Sequence, residues 1–194
     1  MKKLSLIIIA LVFVCAGSFA QTYKVSLPAN PTIVDLFLAA AKYDKCETEF
    51  IREYAANAVK AKKLDRHTKR TIDTKNGYLE VTIGSNEDTH HAESCYWKMN
   101  NGNLLIAITH QEYQETTTLH FYEYNKANKT LKVIAQKPFD LGLGNKAAEV
   151  HYDLPRFGKT IKAETYDLPS NSGEPYRWNI TWNGSKFVVK HLPN

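Results

Sequence analysis

The sequence predicts an α+β protein in which two N-terminal helices pack on a mostly antiparallel meander sheet. The main alternative is a flattened β-barrel or sandwich capped by the helices. Two textures lead there. Between Asn30 and about Leu64 apolar residues recur at helical spacing, whereas beyond Gly77 short apolar-polar alternations are separated by Asn- and Gly-containing turns. Helices first and then a run of hairpin-joined strands favour α+β over a βαβ alternation.

The first helix starts where Asn30 offers a cap and Pro31 takes the first helical position, at which a missing N–H costs nothing. Ile33, Val34, Phe37, Leu38 and Ala41 follow a 3.6-residue period and predict a largely buried helix. Asp44-Lys45-Cys46-Glu47 has the form of a capping box, so a second helix follows, with Phe50, Ile51, Tyr54, Ala58 and Ala61 along one stripe.

Strand texture begins at "GYLEVTIG", in which Tyr78, Glu80 and Thr82 alternate with Leu79, Val81 and Ile83. "CYWKM" and "LLIAITH" flank Asn100-Asn101-Gly102-Asn103, the strongest hairpin signal in the chain. "TTLHFYEY" pairs with "TLKVIAQ" across Asn125 to Lys129, and "YRWNITW" with "KFVVKHL" across Asn183-Gly184. "KAAEVHYDL" and "KTIKAETYDL" add two strands around "PRFG", and "PSNSGEP" reads as a surface loop.

Residues 1–20 read as a secretory signal peptide, with Lys2 and Lys3, an apolar run from Leu4 to Val14, and Ser18-Phe19-Ala20 ahead of a cut before Gln21. That apolar run is shorter than the roughly 20 residues a membrane span needs, and the mature chain, 21–194, holds no transmembrane segment by composition. It has the length of one domain. The expected location is periplasmic or extracellular. Lipid anchoring at Cys15 is the alternative, but Val14 stands where a lipoprotein signal carries Gly, Ala or Ser.

Without Lys2 and Lys3 the formal charge falls from +5 to +3, too mild to name a partner. The charge is uneven: Lys60, Lys62, Lys63, Arg66, Lys69 and Arg70 against Asp65 concentrate basicity in eleven residues. Lys62, Lys63, Arg66 and Lys69 are therefore candidate contacts for an anionic surface, or else a solvated helix end complementing the helix dipole.

Export leaves Cys46 and Cys95, and one disulfide between them is expected, worth ~2–4 kcal/mol for so long a loop. A catalytic Cys46 thiolate is disfavoured by Asp44, Glu47 and Glu49 around it. His90, His91 and Glu93 resemble a ligand set in composition only, since adjacent residues on an extended chain point to opposite faces. No HExxH, CxxC, G-x-S-x-G, G-x-G-x-x-G or phosphate-binding loop occurs, so no metal, cofactor, nucleic-acid partner or catalytic residue is assigned. "LGLGNK" lacks the nucleotide-loop spacings and reads as a loop.

Aromatic residues are the more suggestive feature. Tyr122 and Tyr124 share a face in "LHFYEY", as do Trp178 and Trp182 in "RWNITW", and an aromatic row on an open sheet stacks on sugar rings or receives a protein. The competing reading makes the same rings core. Asn128, Asn179 and Asn183 match glycosylation acceptor patterns, but the signal looks bacterial and no glycosylation is expected.

Met1-Lys2-Lys3 with the Ser18-Phe19-Ala20-Gln21 boundary, and hairpins such as "FYEYNKANKTLKVI" and "WNITWNGSKFVVK", resemble the small exported proteins of unknown function common in Bacteroidetes. That resemblance transfers no catalytic residue and no ligand. The expected function is an exported, non-enzymatic binding module for a glycan, peptide or protein. The alternatives are an envelope hydrolase acting on glycan or peptide, and a structural envelope protein contacting an anionic surface.

Overall fold

A computed structural model describes residues 21–43, 49–84, 89–112, 117–143, 149–165 and 174–193. Strand β1 (Thr22–Lys24) leads to helix α1 (Ile33–Tyr43), and a π-helical stretch, Phe50–Ala55, runs directly into α2 (Ala56–Lys60). Ten further strands among the described residues are β2 (Thr68–Asp73), β3 (Tyr78–Ile83), β4 (His90–Lys98), β5 (Leu104–Glu112), β6 (Thr118–Asn125), β7 (Thr130–Ile134), β8 (His151–Asp153), β9 (Thr160–Thr165), β10 (Tyr176–Trp182) and β11 (Phe187–Leu192).

Among the described residues the architecture is mostly antiparallel sheet with few helices, and no barrel closes. The strands form two sheets rather than one: seven in the order β1-β7-β6-β5-β4-β3-β2 and four in the order β11-β10-β9-β8. Every pairing is antiparallel.

Alternation sorts the side chains into two cores, one on each face of the larger sheet. Leu79, Val81, Leu104, Ile106, Ile108, Tyr122, Tyr124 and Leu131 share a core with Ile33, Leu36, Phe37, Ile51 and Val59 from the helical segments. Tyr78, Cys95, Trp97, Leu105, Ala107, Leu119 and Phe121 face the other way and pack with Tyr152, Ile161, Trp178, Ile180, Trp182 and Phe187 of the smaller sheet. With both faces covered, β5 reads as the unbroken apolar run Leu104–Ile108 instead of alternating, as a strand buried on both sides does.

Local starts and stops differ in detail from expectation. Thr32, not Asn30, caps α1: the Thr32 N–H and hydroxyl donate to Asp35 Oδ2 at 2.8 and 2.7 Å, and the Asp35 N–H returns to Thr32 Oγ1 at 3.4 Å. The expected capping box at Asp44–Glu47 lies outside the described residues. At the other end, one Arg70 nitrogen, Nη1, reaches the carbonyls of Ala58 (2.6 Å), Val59 (3.0 Å) and Ala61 (2.8 Å) and so caps α2 from β2.

The two sheets are clasped at their hairpin tips. The Asn100 N–H donates to Gly184 O at 2.9 Å and Trp182 Nε1 donates to Lys98 O at 3.2 Å, joining the β4–β5 turn to the β10–β11 turn. Gly184 has φ +104, and a Cβ there would run into Asn100 Oδ1, so both the backbone and the close approach require glycine.

Candidate functional site

The predicted aromatic platform is core. Tyr122 and Tyr124 are 0 and 2 % exposed beneath the helical segments, and Trp178 and Trp182 are each 3 % exposed between the sheets. Trp182 packs on Phe187 (ring centroids 5.0 Å), which meets Trp97 edge-on at 5.4 Å and 87°. The alternation placing these rings on common faces holds; what covers those faces is another layer of the same chain.

Cys95 is a free thiol, 2 % exposed in the core between the sheets, and burial pushes its pKa well up. Cys46 lies outside the described residues. The segments on either side of it, ending at Tyr43 and resuming by Phe50, pack on the helix-bearing face, whereas Cys95 points away from that face. The expected bridge is thus replaced by an unpaired thiol facing the opposite core, because alternation along β4 turns position 95 from the helices.

The two histidines begin β4 instead of lying in a polar loop, and they diverge. His90 stacks with His110 and Phe50 on the helix side, with Phe50 ring centroids 4.7 Å from each imidazole. His91 takes the other face and lies 3.2 Å from Glu80 Oε1. No group of three or more His, Cys, Asp or Glu among the described residues is placed to hold a metal ion. Lys62, Lys63, Arg66 and Lys69 are exposed along the connection from α2 into β2.

Between the sheets, Glu93 forms a buried polar node that sequence reading noticed only as a poor metal ligand. It is 7 % exposed and accepts from Tyr78 Oη at 2.5 Å through Oε1 and from the Leu154 N–H at 2.8 Å through Oε2. Loss of water raises the Glu93 pKa, opposed by these two hydrogen bonds and by His91; burial and the Glu93 carboxylate raise that of Tyr78. This node ties β3 and β4 to the end of β8, a role for which the sequence carries no local signal, since Leu154 lies 61 positions away.

One face open to a ligand is the outer side of the smaller sheet. A cleft of about 480 Å³ is lined by Asp153, Lys162, Glu164, Arg177, Asn179 and Leu192, with Ala163 and Trp178 at its floor. The register explains it: Asp153, Lys162, Asn179 and Lys190 stand opposite one another across four strands, and Glu164 stands opposite Arg177 one row away. Arg177 Nε approaches Glu164 Oε2 at 3.4 Å and Arg177 Nη2 approaches Glu174 Oε2 at 3.7 Å, which fixes the guanidinium at the rim. Lys162 and Lys190 flank the Asn179 amide from strands about 4.8 Å to either side. Amide and ammonium groups in one row can bind hydroxyl and carboxylate oxygens together.

No family model matches the chain, and no curated protein and no solved structure matches it either. Among the described residues no helix is long and apolar enough to cross a membrane.

Proposed function

We propose that this is an exported, non-enzymatic binding module that takes an acidic glycan on the outer face of its smaller sheet. Residues 1–20 carry the export part of the reading. The observation that carries the binding part is the cross-strand row Asp153–Lys162–Asn179–Lys190 in and beside this cleft. Glu164 and Glu174 engage Arg177, while Lys162 and Lys190 outnumber Asp153 in the row itself, so the row favours a ligand with carboxylates among its hydroxyls.

Affinity electrophoresis in polygalacturonate tests it, with a neutral glucan and an acidic peptide competitor as the other arms. The mature chain is expected to be retarded by polygalacturonate, and Lys162→Ala with Asn179→Ala to weaken retention at least tenfold. Equal retention of the double variant, or retention by neutral glucan alone, overturns the proposal. Stronger competition by the acidic peptide than by galacturonate oligomers moves the ligand class to peptide.

Exposure of Lys62, Lys63, Arg66 and Lys69 supports a second reading, contact with an anionic envelope surface. Co-sedimentation with anionic vesicles at low salt, unaffected by neutralising those four residues, would rule it out.

A further inference from the structure

We propose that the protein pairs with a second copy of itself through the outer edge of β2, the two β2 strands running antiparallel about a twofold axis at Thr71. β2 ends the seven-stranded sheet, and among the described residues no strand lies beyond it. An unpaired edge of six residues without proline or bulge is a template for another strand.

The phase of its hydrogen bonds sets which groups are offered. His67 O accepts from the Gly84 N–H at 3.1 Å, and β2 pairs β3 in the register Thr68↔Ile83 through Asp73↔Tyr78. In an antiparallel ladder the bonded residues alternate, so Lys69, Thr71 and Asp73 turn their backbone toward β3 while Thr68, Arg70 and Ile72 turn theirs outward. The Thr68 N–H agrees, since it goes to Asp65 O at 3.4 Å.

With Thr71 on the axis, Arg70 of each copy faces Ile72 of the other, and these two pairs exchange four N–H···O bonds. Thr71 then faces Thr71, and Lys69 faces Asp73 of the second copy, twice. These three positions form the pairs without mutual hydrogen bonds, where Cα atoms approach to about 4.5 Å and side chains interact most. Opposite charges thus meet at both ends and a Thr–Thr contact sits at the centre, the self-complementarity an isologous interface requires. Ile72, 37 % exposed, gains cover in the same pairing.

Asn76, first, and Arg156 hold the Asp73 carboxylate below the usual range, so it remains anionic for the incoming Lys69. Arg156 Nε and Asn76 Nδ2 donate to Asp73 Oδ2 at 3.0 and 2.9 Å and the Asn76 N–H donates to Oδ1 at 3.1 Å, leaving a lone-pair direction on Oδ1 for the ammonium. The other edges lack this match. β1 and β8 have three residues each, and β11 carries Lys190 and His191 with no acid to answer them.

Sedimentation velocity of the native mature chain from micromolar to hundreds of micromolar is expected to show a monomer–dimer equilibrium. Lys69→Asp, which sets like charges opposite one another at both ends, is expected to raise the dimer Kd at least tenfold at low salt. Thr71→Cys is expected to give a covalent dimer on mild oxidation, well above Lys126→Cys, an exposed position far from the axis. A native chain that stays monomeric, a Kd unchanged by Lys69→Asp, or Thr71→Cys crosslinking no better than Lys126→Cys each overturns the pairing. Binding to acidic glycan is read separately on the smaller sheet, so either proposal can fail alone.

Discussion

Replacing Glu93 with alanine removes the acceptor of two buried donors at once. Tyr78 Oη and the Leu154 N–H both end on this carboxylate, and Tyr78, Glu93 and Leu154 are 4, 7 and 5 % exposed, so water does not readily take its place. Each stranded donor costs about 1–3 kcal/mol, and the loss should total about 3–5 kcal/mol once packing is included. For a chain of this size that corresponds to a fall in Tm of about 6–20 °C by calorimetry, with a matching drop in the urea midpoint.

Glu93→Gln tests the electrostatics. The amide can accept from Leu154 through its oxygen and donate to Tyr78 Oη, as the protonated acid would, but it does not titrate. Burial raises the folded-state pKa of Glu93 above its unfolded value. In the window between those two values the folded state holds the extra proton. Glu93 therefore contributes its full stability below the unfolded carboxylate value, about 4.3, and that contribution is lost as pH rises through the folded value. The stability of Glu93→Gln relative to the native chain should rise from pH 4 to pH 8. An alanine variant within about 1 kcal/mol of native, or a glutamine difference that is flat or shrinks with pH, would contradict this role for Glu93.

Two further predictions concern the frame around the sites. Gly184→Ala imposes a side chain at φ +104 against Asn100 Oδ1 and should cost about 1–3 kcal/mol in urea unfolding; Asn100→Gly in the same chain should recover only the steric part, and full recovery would show that the backbone is unstrained. Arg70→Met leaves the last carbonyls of α2 without their cation and should cost about 1.5–3 kcal/mol, with some loss of helical circular dichroism; a thermally silent variant would mean that water caps the helix equally well.

Features of the chain that depend on local geometry were readable. Asn101-Gly102 and Asn183-Gly184 mark hairpin turns because the glycines must take positive φ, as Gly102 (+83) and Gly184 (+104) do. The alternation in β3, β4 and β10 correctly grouped the side chains that share a face. β1 and β2 escaped notice for physical reasons as well: three residues are too few for a pattern, and β2 is an edge strand whose Lys69, Arg70 and Asp73 hide its alternation. The run Leu104–Ile108 did carry a signal of the second sheet, since an unbroken apolar strand needs cover on both faces.

Local sequence was enough to mark the Asn-Gly hairpin turns, the helical texture that follows Asn30, and which residues stand together on the strands with clear alternation. Those properties follow from φ preferences and from periods of 3.6 and 2, which act over a few residues. Which of two equivalent faces meets water was set by how the layers pack. Alternation is symmetric between faces, and it was the docking of a second sheet that buried Trp178 and Trp182 and left Lys162 and Asn179 outside. The same docking brought the Leu154 N–H to Glu93 and turned Cys95 away from the helical layer, because contacts between residues distant in sequence exist only once the layers have packed.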